Sequence, residues 1–251
     1  MKWILSIFLC LPFLNYGQKN NFKVIHLPSF DSSAISSMQV NDAGKIFIPL
    51  SGGIYMPEDT MWFIEPNNKF YFTSFIFSPK DTGVFLMGNT KDSSQLIFSH
   101  ANAGKHISRI YYKKIEKGIY HVEYENGVCY VWGYCKGSSK IGIVTGRSIE
   151  WLINIKGVIQ DVKFLNHQLY FALENAIFCI EQKKTFLSLN ERIYGFDFNE
   201  KGVLILSTES GLSYYSNKSF EKIATGAKGM IAYKNKKIYV LSRKMNSIFI
   251  L

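Results

Sequence analysis

The sequence predicts an all-β fold built from repeats. Three observations carry that expectation: one strand phrase recurs six times, its spacing is near-constant, and helical periodicity is missing. The phrase is apolar-x-x-apolar-x-apolar. It reads Ile35-Ser-Ser-Met-Gln-Val40, Phe72-Thr-Ser-Phe-Ile-Phe77, Ile119-Tyr-His-Val-Glu-Tyr124, Ile159-Gln-Asp-Val-Lys-Phe164 and Ile193-Tyr-Gly-Phe-Asp-Phe198. The sixth copy, Lys228-Gly-Met-Ile-Ala-Tyr233, has lost its first apolar residue. Short apolar runs bounded by Gly, Asn and Ser read as strands and turns. Beyond the N-terminus no apolar stripe at i, i+3, i+4 lasts three turns.

Each phrase leads through a turn into a second apolar run: Lys45–Ile48 after Gly44, Val84–Met87 after Gly83, and Val128–Val131 after Gly127. The same happens after His167, Gly202 and Lys236. Those turn positions, 44, 83, 127, 167, 202 and 236, are 34 to 44 residues apart. A third run follows every time: Gly53–Tyr55, Leu96–Phe98, Ile141–Ile143, Ala176–Phe178, Gly211–Tyr214 and Ser247–Phe249. A less regular fourth closes most units, as at Met61–Ile64, Ile149–Leu152 and Thr185–Leu189. Four strands per unit near a forty-residue period is the pattern of a β-propeller blade. A β-sandwich also has short strands, but it gives no reason for a repeat of this size.

The last unit stops at Leu251 after its third run, and Phe22–Leu27 is a strand without a unit. Pairing the two closes the ring and removes two exposed edges. The expectation is therefore a six-bladed β-propeller of four-stranded blades, closed by the N-terminal strand pairing with the last blade.

Residues 1–17 read as a signal peptide: a basic start at Lys2, an apolar run Ile4–Leu14, and a small residue at Gly17. The run is too short to span a membrane, and no other stretch approaches the needed length. Residues 18–251 then form a single β-propeller domain, periplasmic or secreted. The formal charge is +10, or +9 without Lys2, with lysine knots at 113, 114 and 117, at 183 and 184, and at 234, 236 and 237. Solvated turns explain such knots; an anionic glycan is the alternative partner, and nucleic acid does not suit an exported protein. Cys129, Cys135 and Cys179 remain after export, an odd number without framework spacing. Cys129 takes a core position, and it reaches Cys135 only if the chain turns near Gly133.

In a propeller the first strands line a central channel, so the two x positions that open each phrase converge at one mouth. The ligand-binding candidates there are Ser37, Ser74, Tyr120, His121, Gln160, Asp161 and Tyr194. His121 and Asp161 are the one His–carboxylate pair of neighbouring units. They act as base and orienting acid, or they satisfy each other and the channel water. No catalytic residue, metal ligand or cofactor motif is identified: there is no Gly-x-Ser-x-Gly, no His-Glu-x-x-His, no phosphate loop and no calcium loop.

The stretch Ile35–Tyr55, with its Asn-Asp-Ala-Gly-Lys-Ile-Phe turn and closing Gly-Ile-Tyr, resembles the propeller repeats of bacterial two-component regulators. The Ile193 unit is similar. Both carry Asn, at 41 and 199, where that pattern has Asp. The resemblance implies a propeller outside the cytoplasm that binds a ligand or partner. The expected function is thus a non-enzymatic interaction scaffold or envelope-assembly subunit that binds another envelope or extracellular protein. The alternative is a hydrolase or lyase with its site at the channel mouth, similar to six-bladed sugar-lactone hydrolases.

Overall fold

The computed structural model describes residues 22–28, 37–50, 53–57, 62–63, 71–77, 84–89, 91–101, 107–146 and 148–251. The segment read as a signal peptide, together with Ile35, Ser36 and Met61, lies outside them. Within the described residues every regular element is a strand, and the strands form six four-stranded antiparallel sheets. No helix among them is long and apolar enough to cross a membrane.

Blade 1 holds β2 (Gln39–Val40), β3 (Ile46–Leu50), β4 (Gly53–Tyr55) and β5 (Trp62–Phe63). Blade 2 holds β6 (Tyr71–Phe77), β7 (Val84–Asn89), β8 (Ser94–Ala101) and β9 (Ile107–Ile115). Blade 3 holds β10 (Ile119–Glu125), β11 (Val128–Cys135), β12 (Ser138–Thr145) and β13 (Ser148–Lys156). Blade 4 holds β14 (Asp161–Leu165), β15 (Gln168–Ala172), β16 (Ala176–Cys179) and β17 (Lys184–Ser188). Blade 5 holds β18 (Ile193–Phe198), β19 (Leu204–Thr208), β20 (Gly211–Ser216) and β21 (Ser219–Ala224). Blade 6 takes β22 (Met230–Lys234), β23 (Lys237–Ser242), β24 (Ser247–Ile250) and, as its fourth strand, β1 (Lys23–His26).

Closure is therefore made as the sequence predicts. Lys23 pairs with Ile250 and His26 with Ser247 across an antiparallel ladder. His26 Nδ1 is 3.0 Å from Ser247 Oγ, and the Asn246 amide donates to the Leu27 and Pro28 carbonyls.

Apolar side chains from facing blades interlock around the ring. Met87, Leu96 and Ile115 of blade 2 meet Ile119, Val122 and Val131 of blade 3. Trp132 and Ile141 meet Val162, Leu169 and Phe171; Tyr170 and Ile177 then meet Ile193 and Phe196. Ile205 and Leu212 meet Ile231 and Val240, and Leu241 and Ile248 meet Ile46 and Ile48 of blade 1. Phe47 and Phe75, edge-on at 5.9 Å, join blades 1 and 2. All six interfaces are thus apolar, as repeat stacking requires.

Turn chemistry follows the backbone. Asn166–His167, Asn217–Lys218 and Asn235–Lys236 have positive φ at both residues, the geometry of two-residue hairpin loops that Asn tolerates well. At the turn where Asn replaces the Asp of the resembling repeats, Asn199 Oδ1 accepts from the Lys201 and Val203 amides at 2.9 Å. Asn41 Oδ1 accepts from Lys45 N at 2.9 Å. A carbonyl oxygen serves here as well as a carboxylate, so the substitution keeps the turn. Cys129 and Cys135 lie on one continuous strand, β11, and all three described cysteines are free thiols.

Candidate functional site

The first strand of each blade is innermost, and polar side chains on these strands clip one blade to the next. Ser37 Oγ donates to the Thr73 carbonyl at 3.1 Å, and Thr73 Oγ1 donates to the Tyr120 carbonyl at 2.5 Å. Ser74 Oγ accepts from Val122 N at 3.4 Å. On the other side of the ring, Asp161 Oδ2 accepts from Phe196 N at 3.3 Å and Asp197 Oδ2 from Tyr233 N at 2.7 Å. Among these contacts, hydroxyls, which both donate and accept, join blades 1 to 3, and carboxylates, which only accept when ionised, join blades 4 to 6; on a second strand the Ser207 hydroxyl also accepts from Gly229 N at 2.9 Å.

Of the seven expected ligand-binding residues, Ser37, Ser74 and Asp161 therefore have polar atoms engaged by a neighbouring blade. Gln160 Nε2 donates back to the Val158 carbonyl at 3.3 Å, and the Tyr194 ring lies under the Arg192 guanidinium at 5.6 Å. His121 stacks on Trp132, ring centroids 3.9 Å apart and 14° from parallel. The structure does not join His121 to Asp161: the Asp161 oxygens go to Val162 N, Phe196 N and Lys163. Burial, with Arg243 and Lys163 nearby, depresses the imidazole to about 3 and keeps it neutral. Beneath it, Trp132 Nε1 is buried without a hydrogen-bond partner among the described residues.

Tyr120 has different surroundings. It lines an open groove of about 570 Å³ between blades 2 and 3, together with Asp92, Lys114, Glu116, Lys117 and Tyr134. Gly118 and Gly133 meet back to back at this end of β10 and β11. A Cβ on Gly118 would fall 2.3 Å from the Tyr134 carbonyl, and one on Gly133 2.2 Å from the Gly118 carbonyl.

Comparison with known proteins comes from shape alone. No protein-family model and no curated protein sequence matches the chain. Among solved structures it is similar to an oxidoreductase of Thermus thermophilus described as a glucose dehydrogenase. That likeness has TM-score 0.62 and 9% identity over 92% of this chain and 100% of that one. It is similar to the major allergen Mala s 1 of Malassezia sympodialis, with TM-score 0.62 and 10% identity over 90% and 95% of the two chains. The extracellular domain of the one-component system BT4673 from B. thetaiotaomicron matches at TM-score 0.58 and 11% identity over 92% of this chain. This chain spans 40% of that domain's length. The likeness is one of fold. It includes the type of regulator propeller that the Ile35 and Ile193 units resemble.

One group of residues was not singled out in the sequence. The single x between the last two apolar positions of the phrase holds Glu123, Lys163 and Asp197 in three consecutive blades. Lys163 Nζ is 3.5 Å from Asp161 Oδ1. Burial alone would depress Lys163, but Asp161, Asp197 and Glu123 outweigh it and hold the ammonium above its ordinary range. Burial raises Glu123 to about 8 and Asp161 to about 6, with Lys163 opposing in both cases, and raises Asp197 as well. A residue between two apolar strand positions reads as solvent-facing; only ring closure turns that face inward. Among the described residues no three His, Cys, Asp or Glu side chains are grouped to hold a metal.

The sign of the resulting pH dependence is fixed. Both carboxyls keep their protons to higher pH in the folded state than in the unfolded chain. Their contribution favours folding at pH below about 4 and declines as pH rises through about 6 for Asp161 and about 8 for Glu123. Thermal melts of the wild type are expected to fall by several degrees between pH 6.5 and pH 8, above the window in which the depressed His121 acts in the opposite sense. Glu123→Gln should flatten most of that slope; an unchanged slope in the variant would remove Glu123 from the account.

Proposed function

We propose that the chain is an exported propeller that binds a protein partner or ligand on the face where the first strands begin, and releases it unchanged. One observation carries the reading: the mouth's polar groups hold the ring together. Ser37, Ser74 and Asp161 are bonded to the backbone of the next blade, and His121 is a neutral ring stacked on Trp132. Covalent or acid–base catalysis needs a nucleophile or base in a hydrogen-bonded chain with its orienting group. What supports binding is the open groove that Tyr120 lines beside this mouth. Export, to the periplasm or beyond, rests on the N-terminal pattern of residues 1–17. The partner is another protein of the envelope or an anionic glycan.

The test is recovery of the tagged, exported protein from the cells that make it, with bound molecules identified by mass spectrometry. A stoichiometric partner recovered chemically unaltered is the expected result. Turnover of a recovered molecule by the purified protein would overturn the reading.

The second reading, a hydrolase at the channel, is favoured by one feature: Glu123 and Asp161, both raised toward neutrality within the channel, have the character of acid–base groups. A propeller described as a glucose dehydrogenase shares the fold. Hydrolysis of a sugar lactone that disappears in Glu123→Gln would establish this reading in place of the first.

A further inference from the structure

We propose that the groove between blades 2 and 3 is a binding site for an acidic sugar, a short chain of carboxylated pyranoses. The inference rests on the binding reading above and adds the chemistry of the ligand.

The groove is built from five pieces of chain: the β7–β8 turn at Asp92, the end of β9 at Lys114, the link Glu116–Gly118, Tyr120 at the start of β10, and the end of β11 with the following Lys136. Its volume of about 570 Å³ lies within the roughly 300–1,000 Å³ of small-ligand sites. Gly118, in the lining, packs against Gly133 so closely that a side chain at either position would collide with backbone.

Charge favours an anion. Lys114, Lys117 and Lys136 line the groove against Asp92 and Glu116, and Lys140 adjoins it through Glu116. Glu116 is fully committed: it bridges Lys140 at 2.8 Å and Lys136 at 3.1 Å. Hydrogen bonds from Lys140, Cys135 and Lys136 pull its carboxyl down to about 2. Glu116 thus remains ionised and fixes two ammonium groups beside the cleft. Lys117 Nζ is anchored on the Lys91 carbonyl at 2.9 Å. Lys114 is exposed and has no ion-pair partner among the described residues.

Aromatic rings and a spare acid distinguish a sugar from a simple anion. Tyr134 is 40% exposed, and Tyr120 shares the same lining. Flat rings with polar tips suit a ligand with apolar ring faces and hydroxyl edges. Asp92, exposed in the lining, would repel a bare inorganic anion but accepts hydrogen bonds from hydroxyls.

The test is calorimetric titration of the full exported chain with a galacturonic acid trimer, its neutral methyl ester, and inorganic sulfate. The trimer is expected to bind with an affinity that falls as salt is raised, and the ester about tenfold more weakly. Lys114→Glu and Tyr134→Ala, both at exposed positions, should each weaken the trimer by about tenfold, while Lys183→Glu with Lys184→Glu on blade 4 should leave it unchanged. Equal binding of the ester or of sulfate, or equal loss in the blade 4 variant, would overturn the inference. No binding of the trimer at all would overturn it too. The broader binding reading would survive that result if a partner is still recovered from cells.

Discussion

Deleting residues 22–27 lowers the melting temperature by about 10–20 °C. The deletion removes β1, the fourth strand of blade 6, and leaves β24 as an open edge. Leu27 is 7% exposed and packs with Ile248 and Leu241 in the cluster that joins blade 6 to blade 1. Phe22 stands edge-on to Phe249 at 6.1 Å. Burying a Leu or Ile side chain is worth roughly 1.5–3 kcal/mol, and each ladder hydrogen bond a further ~1 kcal/mol net. A loss of about 5 kcal/mol is a conservative sum for this strand, at about 2–4 °C per kcal/mol in a domain of this size. An unedged blade 6 also exposes a strand for pairing between molecules, so the deleted protein should aggregate at lower concentration. Differential scanning calorimetry and light scattering read both effects. A melt unchanged by the deletion would mean that the ring does not depend on this strand.

Gly229→Ala is the second large effect. A Cβ at Gly229 would sit 1.9 Å from the Leu241 carbonyl oxygen and 2.6 Å from its carbon. These are backbone atoms of β23, the strand that pairs with β22, where Met230 faces Leu241. No side-chain rotation relieves such a contact, so the start of β22 must move. That movement disturbs Gly195, whose own Cβ position lies 2.9 Å from the Gly229 carbonyl, and breaks the bond from Gly229 N to Ser207 Oγ. Overpacking against backbone, plus the lost bond, costs about 3 kcal/mol or more, or roughly 6–12 °C in melting temperature. Gly226→Ala, where a φ of +92° strains a side chain but nothing lies within 4 Å of the added carbon, is the companion variant and should lose about 1–2 kcal/mol, less than Gly229→Ala. Equal losses at the two positions would show that packing at Gly229 is not what the glycine protects.

Blade architecture was legible because it rests on short-range patterns that a blade cannot avoid. The phrase Ile193–Phe198 falls on β18 with its apolar positions buried, and the apolar run from Val203 falls on β19, which is buried at every residue. Fourth strands were less legible. β17 and β21 are exposed along most of their length, and β9 (Ile107–Ile115) and β21 (Ser219–Ala224) were not singled out at all. An outer strand meets water on its free edge and often on a face, so alternation fades.

At the site, the phrase marked polar residues on or beside the first strands but not what holds them. Asp161 reads as the partner of His121 in the sequence, yet its oxygens meet Val162 N, Phe196 N and Lys163. The Phe196 contact crosses 35 residues of chain. Glu123, Lys163 and Asp197 were visible in the same phrase, two residues further on. Their coupling needs three blades to be placed side by side, which spacing alone does not express.

The central claim is that the chain binds its partner on the face where the first strands begin. Site-specific photo-cross-linking in the cells that make the protein tests this most directly. A photoreactive phenylalanine analogue is placed at Tyr120 or Tyr134 on that face, at Asn235 on the opposite end of the channel, or at Phe186 on the outer edge of blade 4. The expected result is a discrete adduct from positions 120 and 134 and none from 235 or 186. Adducts confined to 235 or 186 would contradict the account and move the binding surface to the other mouth or to the outer strands.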